Sequence, residues 1–139
     1  MSSEASGDKK LANLIVDGRP VEIETGSTIL QAARKLGIAI PTLCHVDWME
    51  PYGGCRLCSV EVIKGKRRRL VTACNYPIAD GIVVEAINDR IHRVRAMVLE
   101  LLLGRSSNVP LLQELGGQYG VEKSRFGQGT EGCILCGLC

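Results

Sequence analysis

Residues 41–58 read PTLCHVDWMEPYGGCRLC, and this stretch constrains the structure more than any other part of the 139-residue sequence. Pro41, Pro51, Gly53 and Gly54 deny it regular secondary structure. A structureless loop over residues 38–58 inside a small domain is uncommon unless it binds something. Cys44, Cys55 and Cys58 lie within it and supply the reason. Cys74 follows in LVTACN, residues 70–75, and completes the spacing C-x10-C-x2-C-x15-C.

Outward from the loop the pattern becomes regular. Toward the C-terminus, Ser59–Ile63 and Arg68–Ala73 read as strands joined at Lys64–Gly65, and Ile82–Glu85 as a last short strand. Toward the N-terminus, Ser27 or Thr28 can cap a helix with Ile29, Leu30, Ala33 and Leu36 at helical spacing, and Gly37 stops it. Before it, Leu11–Val16 and Pro20–Glu24 read as strands around the turn signal Asp17–Gly18. Residues 1–10 are polar and small, a disordered lead-in. These elements define an α+β domain over 11–87.

Asn88 can cap a further helix to about Leu103, with Ile91, Val94, Val98, Leu101 and Leu102 on one face. Residues 104–132 hold seven glycines and one short helical candidate, Pro110–Leu115. Residues 88–132 therefore form a helix-and-linker extension, and 133–139 begin a second cysteine motif. No internal repeat is present.

Composition narrows the function. With 45% hydrophobic residues the chain can bury a core, and with one Trp, three Tyr and one Phe that core must be aliphatic. Seven cysteines cannot all pair in disulfides. The opening MSSEASGDKK has no apolar run, so no secretory signal is expected. The segment Ile91–Leu103 is interrupted by His92, Arg93, Arg95 and Glu100, so no membrane span is expected. A reducing, cytoplasmic setting fits, and there cysteines at short spacing usually hold metal.

Iron–sulfur clusters are held by cysteine thiolates, and a [2Fe–2S] centre takes four. Cys55 and Cys58 can approach from one tight turn. Gly53 and Gly54 let backbone N–H groups come near the sulfurs with no Cβ in the way, and Arg56 can add positive field. Two rivals stand beside this reading. Four buried cysteines can be mere packing, and structural zinc also takes four thiolates. Zinc sites usually pair two Cys-x-x-Cys knuckles, and only one occurs here.

PTLCHVDWMEPYGGCRLCSVEV and LVTACNYPIADGIVV resemble the N-terminal ferredoxin domain of the large iron–sulfur subunit of respiratory NADH dehydrogenases. The same domain type occurs in diaphorase subunits of NAD-linked hydrogenases, in some NAD-dependent formate dehydrogenases and in iron-only hydrogenases. The resemblance covers residues 11–103. It implies a β-grasp (2Fe–2S ferredoxin-like) fold, with Cys44 and Cys55 on one iron and Cys58 and Cys74 on the other. It implies an electron relay within a multisubunit NAD(H)-, hydrogen- or formate-linked oxidoreductase. The partners would be flavin- and iron–sulfur-containing subunits. A free-standing soluble ferredoxin and a zinc-stabilised interaction domain are the alternatives.

Cys133, Cys136 and Cys139 give C-x2-C-x2-C, the leading part of a bacterial [4Fe–4S] run. The chain offers no fourth thiolate for it, so either the chain is cut short of the ligand, or a partner subunit supplies it, or the tail carries no cluster. An end on a ligand suggests a fragment of a longer chain. The resemblance also implies a His-plus-three-Cys cluster after the ferredoxin domain, but residues 104–132 contain neither His nor Cys. That absence points to a shorter relative of the respiratory subunit.

The remaining features read more plainly. Lys64, Lys66, Arg67, Arg68 and Arg69 form a solvated hairpin tip, or a docking patch for an acidic partner. No groove-reading helix or aromatic platform accompanies them, so no nucleic-acid partner is expected. His45 is expected to be exposed and hydrogen-bonded, His92 to lie on the surface among Arg90, Arg93 and Arg95, and Trp48 to shield the cysteine site. No nucleophile–base pair or carboxylate pair suggests a substrate-converting site.

Overall fold

Asp17 and Gly18 both adopt positive φ, 50° and 77°, the backbone that a two-residue hairpin turn requires. They join β1 (Leu11–Val16) to β2 (Arg19–Glu24) in an antiparallel pair with Leu14 opposite Val21. The computed structural model describes residues 10–127. Strict alternation in β1 buries Ala12, Leu14 and Val16 and leaves Leu11 and Ile15 outward.

The helix α1 (Ile29–Lys35) starts on a capping box in which Thr28 and Gln31 exchange side-chain-to-backbone hydrogen bonds. Its buried face, Ile29, Leu30, Ala32 and Ala33, joins one hydrophobic core with the sheet. Beyond the long loop come β3 (Ser59–Lys64), β4 (Arg67–Thr72) and β5 (Val83–Glu85). The five strands form one mixed sheet in the order β2-β1-β5-β3-β4. Only β1 and β5 run parallel; the other neighbours are antiparallel. This is the α+β architecture expected, with each element within two residues of its predicted bounds.

Two helices follow, α2 (Asp89–Arg105) and α3 (Pro110–Gln118). Asn88 Oδ1 accepts from the Ile91 N–H at 2.8 Å and caps α2 as predicted. The buried stripe of α2 differs from the predicted one. Ile91, Arg95, Leu99, Glu100 and Leu103 are buried, whereas Val94, Val98 and Leu102 are half-buried and Leu101 is 51% exposed. The helix is turned about one residue because a charged side chain, Arg95, occupies a core position that apolar patterning reads as surface.

α2 is fastened to the sheet by a buried carboxylate. Glu61, in the middle of β3, is 1% exposed and accepts from Arg90 at 2.6 Å, Asn88 at 2.8 Å and Arg68 at 3.2 Å. Burial raises the Glu61 pKa, but the hydrogen bonds from Asn88, Arg90 and Arg68 and the Arg90 charge win, and the group sits below its ordinary value. Arg68 also bridges to Glu85 at 3.0 Å, so one residue of the basic hairpin is structural. At the other end of α2, Glu100 receives the Arg125 guanidinium at 2.6 and 3.0 Å and the Arg125 N–H at 3.0 Å. That strap lies over Gly104, where a Cβ would meet Ser124 Oγ at 2.7 Å.

Candidate metal centre

The β3–β4 ladder sets Ser59 opposite Thr72, and just past its end the Ala73 N–H donates to the Cys58 carbonyl at 3.1 Å. Cys58 and Cys74 are thus brought together by strand register. The first turn of α1 then fixes the backbone around Cys74, because the Leu30 and Ile29 N–H groups donate to the Ala73 and Tyr76 carbonyls at 2.9 and 3.1 Å. Helix-start donors that would otherwise lack partners are spent on the cysteine segment.

Cys55 and Cys58 lie on the tight turn that their spacing suggested. Arg56 adopts φ 65°, a left-handed conformation uncommon outside glycine, and its carbonyl accepts from both the Ser59 N–H and the Ser59 hydroxyl, at 3.2 and 2.6 Å. The Leu57 N–H donates to Cys55 Sγ at 3.5 Å. The sequence pointed to glycine N–H groups for this role, and residue spacing gave no signal for Leu57. Gly53, at φ 69°, is required by its surroundings: a Cβ there would meet Asn75 Nδ2 at 2.8 Å and Thr72 Oγ1 at 2.9 Å. A Cβ on Gly54 would strike the Tyr52 ring. The Arg56 side chain is exposed.

All four thiols are buried and none is in a disulfide. Burial first, then the Cys58 sulfur and its hydrogen bond, then Cys44 and Cys55, push the Cys74 thiol up to about 12. Burial also raises Cys55, against a lowering from the Leu57 and Cys44 backbone, and its side-chain neighbour is Cys44. The sulfurs therefore fall into two pairs, Cys44 with Cys55 and Cys58 with Cys74. Among the described residues no three Cys, His, Asp or Glu side chains gather around one point suited to a single metal ion. Four buried, unbridged thiols, two of them raised by burial and by neighbouring sulfurs, suit a cluster-binding donor set.

The two pairs belong to different cores. Cys58 and Cys74 pack with Val60, Ala73 and the sheet, while Cys44 and Cys55 pack with Leu57, Leu99, Leu103, Val109 and Leu112. The extension thus walls one side of the site. Trp48 does not: it is 81% exposed, because its loop turns it outward and aliphatic residues of α2 and α3 occupy the shielding position. His45 also departs from expectation. Its side chain is only 15% exposed, with Nε2 3.4 Å from Asp47 Oδ1 and Nδ1 buried without a partner. His92 is exposed as expected, its ring 5.1 Å from that of Tyr119. Cys133, Cys136 and Cys139 lie outside the described residues.

Four buried, unbridged cysteines at the end of a mixed sheet fit the ferredoxin-like class of iron–sulfur proteins. Residues 9–89 match the 2Fe-2S iron-sulfur cluster binding domain, and the chain belongs to that family. It is 38% identical over 123 residues to the NADPH-Fe(3+) oxidoreductase subunit alpha of Geobacter sulfurreducens, covering 86% of this chain and 14% of that protein. It is 37% identical over 136 residues to the mitochondrial NADH-ubiquinone oxidoreductase 78 kDa subunit of Candida albicans, covering 88% and 18%. The chain spans less than one-fifth of the length of these relatives. A crystal structure of an NAD+-reducing [NiFe]-hydrogenase in the H2-reduced state superposes with a TM-score of 0.74 at 29% identity, over 84% of this chain and 52% of that one. No described helix is long and apolar enough to cross a membrane.

Proposed function

We propose that this chain is an iron–sulfur electron-transfer component of a multisubunit NAD(H)-, hydrogen- or formate-linked oxidoreductase, with Cys44, Cys55, Cys58 and Cys74 holding a [2Fe–2S] cluster in a β-grasp domain. The observation that carries this is the meeting of four buried, unbridged cysteines at the seam of two cores. When bound, such a cluster takes up and returns one electron at a time.

The protein's part is to hold and insulate. Iron is held by thiolates, so the raised Cys74 and Cys55 values make assembly release protons and favour it at higher pH. The Leu57 N–H stabilises negative charge on Cys55, and the left-handed turn at Arg56 brings Cys55 and Cys58 onto one turn. Gly53 and Gly54 keep the loop thin enough for further backbone approach. Leu99, Leu103 and Leu112 exclude water from the Cys44–Cys55 side.

Cys133, Cys136 and Cys139 would hold three corners of a [4Fe–4S] cluster, with the fourth ligand outside this chain. Flavin- and iron–sulfur-containing subunits would be the electron partners. The likeness to subunits of NADPH- and NADH-linked oxidoreductases and to an NAD+-reducing hydrogenase supports a place in such assemblies.

Anaerobic reconstitution with iron and sulfide tests the reading. Wild type is expected to gain visible charge-transfer absorbance and, on dithionite reduction, a [2Fe–2S] electron paramagnetic resonance signal. Cys44→Ser and Cys74→Ser should each lose it. A colourless protein that instead retains stoichiometric zinc would overturn the assignment.

A further inference from the structure

We propose that Arg95 sets the reduction potential of the Cys44–Cys55–Cys58–Cys74 site, acting as a positioning residue through the backbone of Ser59; this rests on the [2Fe–2S] reading above. Arg95 is 4% exposed, an unusual place for a guanidinium side chain. Its NH2 donates to the Ser59 carbonyl at 3.0 Å and its NH1 to the Tyr119 hydroxyl at 3.3 Å. Nε is buried with no partner. Among the described residues no carboxylate pairs with it; the nearby carboxylate Glu61 is taken by Arg68 and Arg90, and Glu100 by Arg125.

A buried cation with two neutral acceptors is costly unless a negative centre lies close. Ser59 is the residue directly after Cys58, and its hydroxyl and N–H both bind the carbonyl of Arg56 between Cys55 and Cys58. Arg95 therefore grips the ligand turn from behind while its charge sits one peptide from Cys58. The thiolate-ligated cluster is anionic, and each electron taken from a reductant adds one negative charge to it. A fixed positive charge nearby favours that added electron. Arg95 thus links the α2–α3 extension to the electronics of the site, beyond its packing.

The test compares reconstituted wild type with Arg95→Gln, Arg95→Lys and Tyr119→Glu, each titrated with dithionite and followed by electron paramagnetic resonance. Arg95→Gln is expected to weaken reduction about tenfold, a shift of about 59 mV to more negative potential for a one-electron couple. Tyr119→Glu keeps Arg95 but sets a carboxylate beside it, and should shift in the same direction. Arg95→Lys, which keeps the charge, should stay near wild type. If Arg95→Gln fails to hold the cluster, Tyr119→Glu decides alone. Wild-type potential in Tyr119→Glu, or equal shifts in Arg95→Gln and Arg95→Lys, would overturn the proposal while leaving the cluster intact. Absence of any [2Fe–2S] signal in wild type would instead remove the reading beneath it.

Discussion

Cys58 and Cys74 sit in the core of the sheet with Val60, Ala73 and Ile78, whereas Cys44 and Cys55 share theirs with Leu99, Leu103 and Leu112. The first pair is positioned by strand register and by the start of α1, which take up the Cys58, Ala73 and Tyr76 carbonyls. The second pair hangs on a loop and is covered by side chains from α2 and α3, most of which lie beyond the family match at 9–89. One half of the site is built by the backbone and the other by packing. Backbone ladders tolerate side-chain change, while a packed wall is only as good as the helix that carries it.

The largest test of that difference is Leu99→Ala. Leu99 is fully buried, and the truncation should cost about 2–5 kcal/mol in denaturant unfolding. Hydrogen exchange is the sharper readout. Faster exchange is expected in the loop around Cys44 and Cys55 and in α3, with β1, β3 and β5 still protected. Equal loosening of the sheet would mean that the two cores unfold as one.

Glu61→Gln probes the join between them. Losing charge-assisted bonds to Arg90, Asn88 and Arg68 should cost about 1.5–3 kcal/mol near neutral pH. Because the folded Glu61 value lies below 4.5, its contribution is present above that pH and is lost as pH falls through the depressed value. Wild type and variant should therefore converge in acid, and a gap that persists at low pH would refute the linkage.

Arg125→Ala should have the smallest effect. It removes the strap over Gly104, and the Arg125 bonds that hold Glu100 below its ordinary value. Exchange should rise at residues 121–127 and nowhere in the sheet. Its influence should also vanish as pH drops through the depressed Glu100 value, which a salt titration at neutral pH would mimic.

Strands, hairpin turns and the two helix caps were legible because their determinants are local. Asp17–Gly18, Thr28 (one of the two caps offered) and Asn88 each act within four residues of chain. The Cys55–Cys58 turn was legible for the same reason, since a two-residue gap inside a glycine-rich loop is itself a chemical pattern. Trp48 and the face of α2 were misread because burial depends on what arrives from elsewhere in the chain. A tryptophan predicts a shield only if something presses it inward, and here α2 and α3 had already filled that place.

By itself, then, the order of residues determined the α+β plan and the cysteines able to meet, through short-range backbone preferences and spacing. Tertiary structure alone decided that Cys44 with Cys55 and Cys58 with Cys74 lie in two separate cores. It also decided that Glu61 is buried and ionised, and that Arg95 stands behind the ligand turn. Those outcomes depend on contacts between residues dozens of positions apart, where burial and charge are set by neighbours that no local pattern names.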